Sequence, residues 1–584
     1  MPTPPLLDLP APRSPSRLLG AVVLGCALFA FARANAQQPG APVPGELPAL
    51  PEAPGAGPST EPMGAAPTAP GAAAPGAAAP GAAPAAPAAK APEEKKKVDW
   101  SKVPVVAKRP PTGWWTGTTV PSGGPGYYSL RDVIEGNYRD ERPKQPYGPW
   151  SLNSTPYFDF DFRYLDDPKN TQHDWADAYK RVHFGPEDNF LFSTGGEVRY
   201  RYMNELSSRG TGRNNFYDLF RVRAYGDFWY KDEYRVFVEF MDTQVYGNRL
   251  APGPTDESGP DIQNAFVEAK VGNPFGGPLS VRVGRQELLY GSQRLVSPPD
   301  WGQTRRTFQG AKAFWSSDQW SVDAFWVQPV IPNDSKADSV DNNRNFVGLW
   351  STYRPKAGTF FDLYYLGLMQ ANTTTANGDI HTIGSRYTGD VDKRFLYDFE
   401  GAVQFGERGS RHVLAKMLVA GLGYRFTNLP WNPHFWIYYD YASGDKDPTG
   451  RSGSYRTFNQ LFAQAHNYFG YIDLVARQNI HDLNFQFSVS PQPWMNLSVQ
   501  YHSFNLDSVK DGLYNTRGQI IRQDPTGRAG NAVGQEMDIL ATVHLSTHQD
   551  FMFGYSKFFG GSFWRRTGNP NNVELLYAQY SLKW

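Results

Sequence analysis

The chain has 584 residues, with 57 Lys and Arg against 57 Asp and Glu, and this balance gives no global attraction to nucleic acid. Its single cysteine, Cys26, lies in an N-terminal segment that we expect to be removed, so the mature chain is predicted to lack disulfides and thiolate chemistry. Beyond that segment no stretch approaches 18 apolar residues, which excludes transmembrane helices, while 15% of the residues are aromatic.

The N-terminal segment has the features of an export signal. Two arginines precede an apolar run at 18–31, and Ala34-Asn35-Ala36 offers small residues at the positions that a signal peptidase reads. We therefore predict a signal peptide at 1–36. The alternative is a lipoprotein signal, since residues 23–26 loosely resemble a lipidation box, but the apolar run continues past the cysteine.

Residues 37–97 are predicted to be a disordered linker. They consist mainly of Pro, Ala and Gly, with almost no side chain that could form a core. The segment is either a tether that reaches a periplasmic partner or a solvated tail.

Residues 98–190 form a different segment, rich in aromatic residues such as Trp114, Trp115, Tyr157 and Phe158. The periodicity is irregular, although 174–181 is compatible with a short helix. We interpret it as a pre-barrel segment that packs at one end of the following domain or inside it.

Residues 191–584 show the two-residue alternation of β-strands. In the first strand, Val198 and Tyr200 alternate with Glu197, Arg199 and Arg201. The predicted strands number about eighteen: 196–202, 221–228, 234–240, 260–272, 279–290, 306–316, 319–328, 344–355, 359–371, 379–388, 395–406, 411–426, 433–442, 480–489, 494–505, 535–545, 549–559 and 573–584.

The final strand and the connections identify the kind of sheet. Leu576, Ala578, Tyr580, Leu582 and Trp584 form an apolar face that ends at the C-terminus, with polar residues between them. Short and long connections alternate along the chain, as in bacterial outer-membrane barrels. We therefore predict an all-β fold, an antiparallel transmembrane barrel of about 18 strands with both mature termini in the periplasm. A large soluble sandwich or solenoid would not need this asymmetry.

Arginines on one face of the early strands and in the following loop are the candidate functional residues. Guanidinium groups bind carboxylates in a bidentate manner, and rings of Arg mark anion-conducting pores. The alternative is that they form ion pairs with Glu197, Asp227, Glu239, Glu268 and Asp323 across neighbouring strands. The candidates for substrate path and selectivity are Arg199, Arg201, Arg221, Arg223, Arg285, Arg294, Arg305 and Arg306.

No arrangement of residues suggests catalysis, so we predict no enzyme activity and no cofactor. The seven histidines after residue 400 lack ligand spacing. Asp440, Asp445 and Asp447 are weak candidates for Ca²⁺, because carboxylate oxygens are its preferred ligands. A plain loop that turns at Asp-Pro is the favoured interpretation of these residues.

Several ordered motifs within 155–584 resemble the alginate export family of outer-membrane porins. They are Tyr157–Asp167, Gly196–Arg201, Arg282–Leu288, Gly291–Ser297, Arg305–Gly310, Tyr439–Asp447, Phe458–Phe462 and Asp511–Tyr514.

The resemblance implies an 18-stranded barrel whose arginine-lined lumen passes polyuronate chains outward. It also assigns selectivity to Arg199, Arg201, Arg285, Arg294, Arg305 and Arg306. The chain departs from the family in one respect. The connection between strands 16 and 17, a long gating loop in some members, spans only about 546–548 here.

We therefore expect an outer-membrane channel for an anionic, alginate-like polysaccharide. Its partners would be that polymer or a small anion, outer-membrane lipid, and a periplasmic protein reached through the linker. A porin that takes up small organic anions is the first alternative. An outer-membrane enzyme and a structural anchor are less well supported.

Overall fold

The computed structural model describes residues 124–144, 146–147, 156–252, 255–371, 377–448, 450 and 453–584. The predicted signal peptide and linker lie outside the described residues. Within these ranges, no helix has both the length and the apolar character needed to cross a membrane.

Eighteen antiparallel strands form one sheet in which each strand pairs with its sequence neighbours and the last pairs with the first. The predicted class and strand number are therefore confirmed. The strands are β1 Phe190–Leu206, β2 Asn215–Tyr230, β3 Tyr234–Tyr246, β4 Ser258–Gly272, β5 Leu279–Gln286, β6 Phe308–Ser316, β7 Trp320–Ile331, β8 Arg344–Lys356, β9 Thr359–Gln370, β10 Gly378–Val391, β11 Phe395–Arg408, β12 Arg411–Arg425, β13 His434–Ala442, β14 Ile480–Gln492, β15 Met495–Leu506, β16 Ala532–Ser546, β17 Gln549–Gly560 and β18 Val573–Lys583.

The barrel closes where β18 pairs with β1, with Tyr580 opposite Tyr200. Two backbone hydrogen bonds join Gly196 to Trp584 at this seam, 2.9 Å and 3.1 Å long. A Cβ atom at Gly196 would lie 2.1 Å from the carbonyl oxygen of Arg223, so only glycine fits there. Residues 577, 579, 581 and 583 of β18 are buried on its inner face, and Leu576, Ala578, Tyr580 and Leu582 lie on its outer face, as the alternation predicts.

The two ends of the barrel differ in the length of their connections. At one end, the short-turn end, β2 connects to β3 through 231–233 and β16 to β17 through 547–548. At the other, the long-loop end, the connections reach 37 residues, with one two-residue exception at 409–410. The long-loop connections are 207–214, 247–257, 287–307, 332–343, 371–377, 409–410, 443–479, 507–531 and 561–572.

The described part of the pre-barrel segment contains one helix, α1 Leu130–Glu135, and three-residue 3-10 turns at Tyr157–Asp159 and Asp177–Tyr179. The helix predicted at 174–181 reduces to the second of these turns. The carboxylate of Asp174 accepts a hydrogen bond from the amide of Ala176 (2.8 Å), and the Asp177 carboxylate accepts one from Asp174 (2.8 Å). Such local bonds compete with helical ones.

The remaining elements are small. A 3-10 turn at Arg163–Asp166 precedes the short strand Val182–Phe184, which pairs with β1. Further 3-10 turns occur at Pro186–Asp188, Ser208–Gly210 and Pro274–Gly276. The long loops carry the strands Ser339–Val340, Gly512–Tyr514 and Ile520–Gln523, and the helix α2 Ser562–Arg566.

Candidate functional site

The connection from β5 to β6, residues 287–307, leaves the wall and runs through the interior of the barrel; we call it the crossing loop. In the middle of the loop, Asp300 accepts hydrogen bonds from Arg199 on β1 (2.7 Å) and Arg221 on β2 (2.8 Å). Six residues earlier, Arg294 donates to Asp398 on β11 (2.8 Å). Since β1 and β11 lie on nearly opposite sides of an 18-stranded ring, the crossing loop spans the interior.

A second loop, residues 443–479, folds inward and pairs with the crossing loop; we call it the inserted loop. Val296 and Phe462 form a parallel bridge. The amide of Ser297 donates to the Phe462 carbonyl (3.0 Å), and the Phe462 amide donates to Leu295 (2.9 Å). Phe462 also packs edge-on against Phe308 of β6. The two loops are therefore fixed to each other as well as to the wall.

Four of the eight candidate arginines form a buried network with carboxylates on the wall and in the crossing loop. Glu197 binds Arg199 (2.9 Å) and Arg221 (2.6 Å). This arrangement is possible because Glu197 and Arg199 are two residues apart and so share a face of β1. The further pairs are Arg305 with Glu287 (2.5 Å) and Asp300 (2.6 Å), and Arg223 with Glu239 (2.6 Å).

The electrostatic consequence is clearest at Asp300, which lies in the crossing loop. Burial disfavours its charged form, but the guanidinium groups of Arg199, Arg221 and Arg305 outweigh this and hold the pKa of the carboxyl well below its usual value. Asp300 is therefore the anion on which this network is centred. The pairing that the sequence left open as an alternative is present in the structure for these arginines.

Arg201 and Arg306 are held differently, because among the described residues no carboxylate lies within salt-bridge distance of either. Arg201 stacks on Trp301 with its guanidinium carbon 3.8 Å from the ring centroid and donates to Gln579. Arg306 uses its Nη1 to donate to the carbonyl oxygens of Ser297 (2.9 Å) and Phe462 (2.5 Å). Among the described residues, its hydrogen bonds use Nη1 and not Nε or Nη2.

Burial lowers the pKa of Arg306 to about 10, which still leaves the group charged at neutral pH. The carbonyl oxygens around it are dipoles without net charge. Arg306 thus contributes a positive charge that the described protein groups orient and do not neutralise.

Arg285 is not brought together with the other seven arginines. Arg282, three residues earlier on β5, is fully buried and binds Glu268 (2.6 Å) on the inner face. The pairing of β5 continues without a register shift from 282 to 286, so Arg285 lies on the opposite face. There its Nη1 donates to the carbonyl of Ile262 (2.8 Å). The inward-facing arginine of β5 is therefore Arg282 rather than the predicted Arg285.

The pre-barrel segment contributes residues that the arginine pattern did not indicate. Residues 156–162, which we call the wedge, enter the short-turn end of the barrel. Phe158 packs among Phe237 and Phe266, with ring centroids 5.5 Å and 5.2 Å away. The Arg282 guanidinium lies over Phe158 at 4.5 Å, and Arg223 lies over Tyr157 at 4.1 Å. The wedge thus covers two inward-facing arginines of the barrel wall, Arg282 and Arg223.

Lys180 anchors the chain that follows the wedge. Its Nζ donates to the Tyr225 hydroxyl (3.0 Å) and to the carbonyl of Thr194, and it lies over the ring of Phe162 at 4.8 Å. Burial lowers its pKa to about 7. The aromatic richness of 98–190 was the only signal in the sequence for this docking.

Two of the three weak calcium candidates pair with arginines. Asp440 binds Arg477, and Asp445 binds Arg411 (2.8 Å). Asp447 donates its amide to the Asp445 carboxylate (3.1 Å). In the part of the chain that the structure describes, no group of three His, Cys, Asp or Glu side chains is placed to hold a metal ion.

Comparison with known proteins places the barrel in a family. The family model described as "Alginate export" matches residues 190–577. A search of curated proteins returned no significant match. Similar solved structures include three Pseudomonas aeruginosa proteins. OccD3 (OpdP) has 10% identity and a TM-score of 0.46, and the match covers 67% of this chain and 91% of that one. OccK11 (OpdR) and OccK8 (OprE) each have 12% identity and a TM-score of 0.44; the matches cover 69% and 67% of this chain, and 100% and 98% of those chains, respectively.

Proposed function

The chain belongs to the alginate export family of outer-membrane barrels, and from that membership we propose that it is a channel for an anionic polysaccharide of the alginate-like polyuronate kind. The fold and the family point to transport rather than to an enzyme. The observation that carries the choice of an anionic solute is a surplus of positive charge on the side of the crossing loop that contains Asp300. On the other side of the loop, Arg294 is paired with two carboxylates, those of Asp398 and Glu400.

The surplus is a count of charged side chains in this region. Six guanidinium groups face four carboxylates. The guanidinium groups are those of Arg199, Arg201, Arg221, Arg223, Arg305 and Arg306, and the carboxylates are those of Glu197, Glu239, Glu287 and Asp300. The two arginines without a carboxylate, Arg201 and Arg306, account for the excess. A carboxylate of a passing polymer would complete their coordination.

The mechanism would be passive. Fixed guanidinium charges lower the cost of moving a carboxylate through a narrow space, and binding at any one of them is weak enough for the chain to move on. Arg306 is suited to this role because its carbonyl partners orient the guanidinium group without satisfying all of its donors. The paired arginines would instead hold the crossing loop in place.

Gating at the short-turn end would fall to the wedge. The connection between β16 and β17, residues 547–548, is too short to enter the interior. Tyr157 and Phe158 already cover Arg223 and Arg282. We infer that the wedge moves aside when polymer enters and that its aromatic rings give up these cation–π contacts to sugar carboxylates.

A porin for small organic anions is the second candidate. The packing of the crossing and inserted loops inside the barrel favours it, since both loops narrow the interior. A small acid would need less displacement of these loops than a polymer does. The same surplus of guanidinium groups would attract either solute.

Planar-bilayer recordings of the purified full-length protein test the proposal. A salt gradient gives the ion selectivity, and uronate oligomers of increasing length are added from each side, with neutral dextran oligomers as the control. Anion selectivity with block that strengthens with oligomer length supports polymer transport. Block by monomers alone supports the small-anion porin, and cation selectivity without block contradicts both.

A further inference from the structure

Three connections at the long-loop end, beside the seam where β18 meets β1, share a positive charge. We call residues 207–214, 507–531 and 561–572 the seam loops. They contain eight Lys or Arg against three Asp. The loops 247–257 and 332–343, farther around the mouth, have the opposite balance, two Lys or Arg against five Asp or Glu. The mouth is therefore electrostatically divided.

The three acidic residues of the seam loops all accept hydrogen bonds from neighbouring groups of the protein. Asp511 is fully buried and accepts hydrogen bonds from the amide of Asp445 (2.8 Å) and the hydroxyl of Thr457 (2.6 Å). Asp507 accepts from the amide of Gly444 (2.8 Å), and Asp524 caps its own turn. By contrast, six arginines of these loops are exposed: Arg209, Arg213, Arg517, Arg528, Arg565 and Arg566. Of these, Arg209 pairs with Asp256 of the loop 247–257 (3.3 Å).

A buried arginine ties the seam loops into one unit. Arg522 donates to the carbonyl oxygens of Trp564 (2.6 Å), Asn569 (2.8 Å) and Gly210 (3.2 Å), so that it joins all three loops. Its guanidinium carbon stacks 3.4 Å from the Trp564 ring centroid. A Cβ at Gly568 would lie 2.6 Å from its Nη1, so glycine at this position lets the loop approach without displacing the guanidinium group. The exposed arginines therefore project from a fixed base.

This surface is continuous with the interior. Gln460 of the inserted loop donates to the carbonyl of Thr516 in a seam loop (2.8 Å). Two residues further on, Phe462 supplies a carbonyl to Arg306. The chain of contacts thus runs from Arg306 to the mouth.

We propose that the seam loops bind the carboxylates of the acidic polysaccharide at the mouth of the channel, an assignment that rests on the proposed function. Exposed guanidinium groups bind carboxylates in a bidentate manner. A polymer with one carboxylate per sugar engages several of them at once, so that weak contacts combine. Continuity with the inserted loop, rather than with the outer wall, favours a polymer from the interior over a lipid headgroup.

The test compares two double charge reversals in the full-length protein. Arg565→Glu with Arg566→Glu alters the seam loops. Arg249→Glu with Lys336→Glu makes the same change in net charge on the acidic side of the mouth. Binding of a labelled guluronate oligomer is followed by fluorescence anisotropy at about 0.05 M and 0.5 M salt. We expect the seam variant to bind about tenfold more weakly at low salt, with less than a twofold change in the control.

Equal losses in both variants, or no loss in either, would overturn the proposal. Heat-dependent gel migration reports whether each variant folds. If the first seam variant folds poorly, the double variant Arg517→Glu with Arg528→Glu repeats the test. Vesicles with and without lipopolysaccharide form the second arm. Loss of vesicle binding with unchanged oligomer affinity would assign the surface to lipid. Anion selectivity of wild-type conductance is recorded separately, so that failure of the seam site and failure of the channel proposal give different results.

Discussion

Replacing Arg306 by Ala should weaken anion selectivity while the neighbouring Arg305→Ala mainly weakens the protein. The two residues are adjacent, carry the same charge and lie in the same loop, yet their surroundings differ. Arg305 binds Glu287 and Asp300, whereas Arg306 is held by the backbone carbonyls of Ser297 and Phe462. The pair therefore separates a transport charge from a structural one.

The magnitudes follow from these contacts. A charge-assisted bond from Arg306 to a polymer carboxylate is worth roughly 1.5–3 kcal/mol, so its loss should weaken block by uronate oligomers about 10- to 100-fold at low salt. Removal of Arg305 breaks its buried ion pair with Glu287 and leaves that carboxylate with the more distant Arg223, at 3.8 Å, which costs about 3–5 kcal/mol. Arg306→Ala removes the donor from the Ser297 carbonyl, a cost of roughly 1–3 kcal/mol, whereas the Phe462 carbonyl keeps its bond from the Ser297 amide.

The assay combines bilayer recording with thermal unfolding. Reversal potentials and oligomer block are measured at about 0.1 M and 1 M salt, where the Debye lengths are roughly 10 Å and 3 Å. Arg306→Lys keeps the charge and should retain most of the selectivity. Arg305→Ala should lower the unfolding temperature more than Arg306→Ala does. Unchanged selectivity in a correctly folded Arg306→Ala protein would refute the reasoning, as would a larger selectivity loss in a stable Arg305→Ala protein.

Three further outcomes are expected. Phe158→Ala removes the central ring of the wedge, so channel openings in bilayers should become more frequent, and unchanged gating would show that the wedge is not a gate. Gly196→Val, which clashes at the seam, should abolish heat-resistant barrel assembly on gels, whereas Gly401→Val, with its nearest neighbour 3.8 Å from the added Cβ, should assemble normally. The pKa of Lys180 is about 7 in the folded chain and roughly 10.4 in the unfolded chain, so between about pH 7 and 10 the unfolded chain binds more protons. The free energy of unfolding should therefore rise with pH over this range. In thermal unfolding, Lys180→Met should remove that pH dependence.

The barrel could be predicted because its rules are local. The alternation in β18 and the turns between strands depend on residues two or three positions apart, and both are visible in the chain. The first strand was underestimated, since β1 begins at Phe190 and ends at Leu206 rather than spanning 196–202. Its ends lack clear alternation but still pair with β2.

The interior could not be predicted in the same way, because its contacts join distant parts of the chain. Asp300 lies 101 residues from Arg199, and Arg294 lies 104 residues from Asp398. Residue type suggested ion pairing but not which partners would meet. The wedge was harder still, since aromatic rings among Gly and Pro carry no period that assigns them a face.

The crossing loop also bears on how the barrel responds to force. Its residues 294 and 300 are ion-paired to nearly opposite strands, so the segment between them cross-links the two sides of the barrel. A barrel wall without such a cross-link can deform into an oval, whereas the cross-linked wall keeps its width. If the proposed polymer is pulled through from one end, the space between the crossing loop and the wall would therefore stay constant in width. Movement of the wedge and the inserted loop, rather than dilation of the wall, would then set how much space it finds.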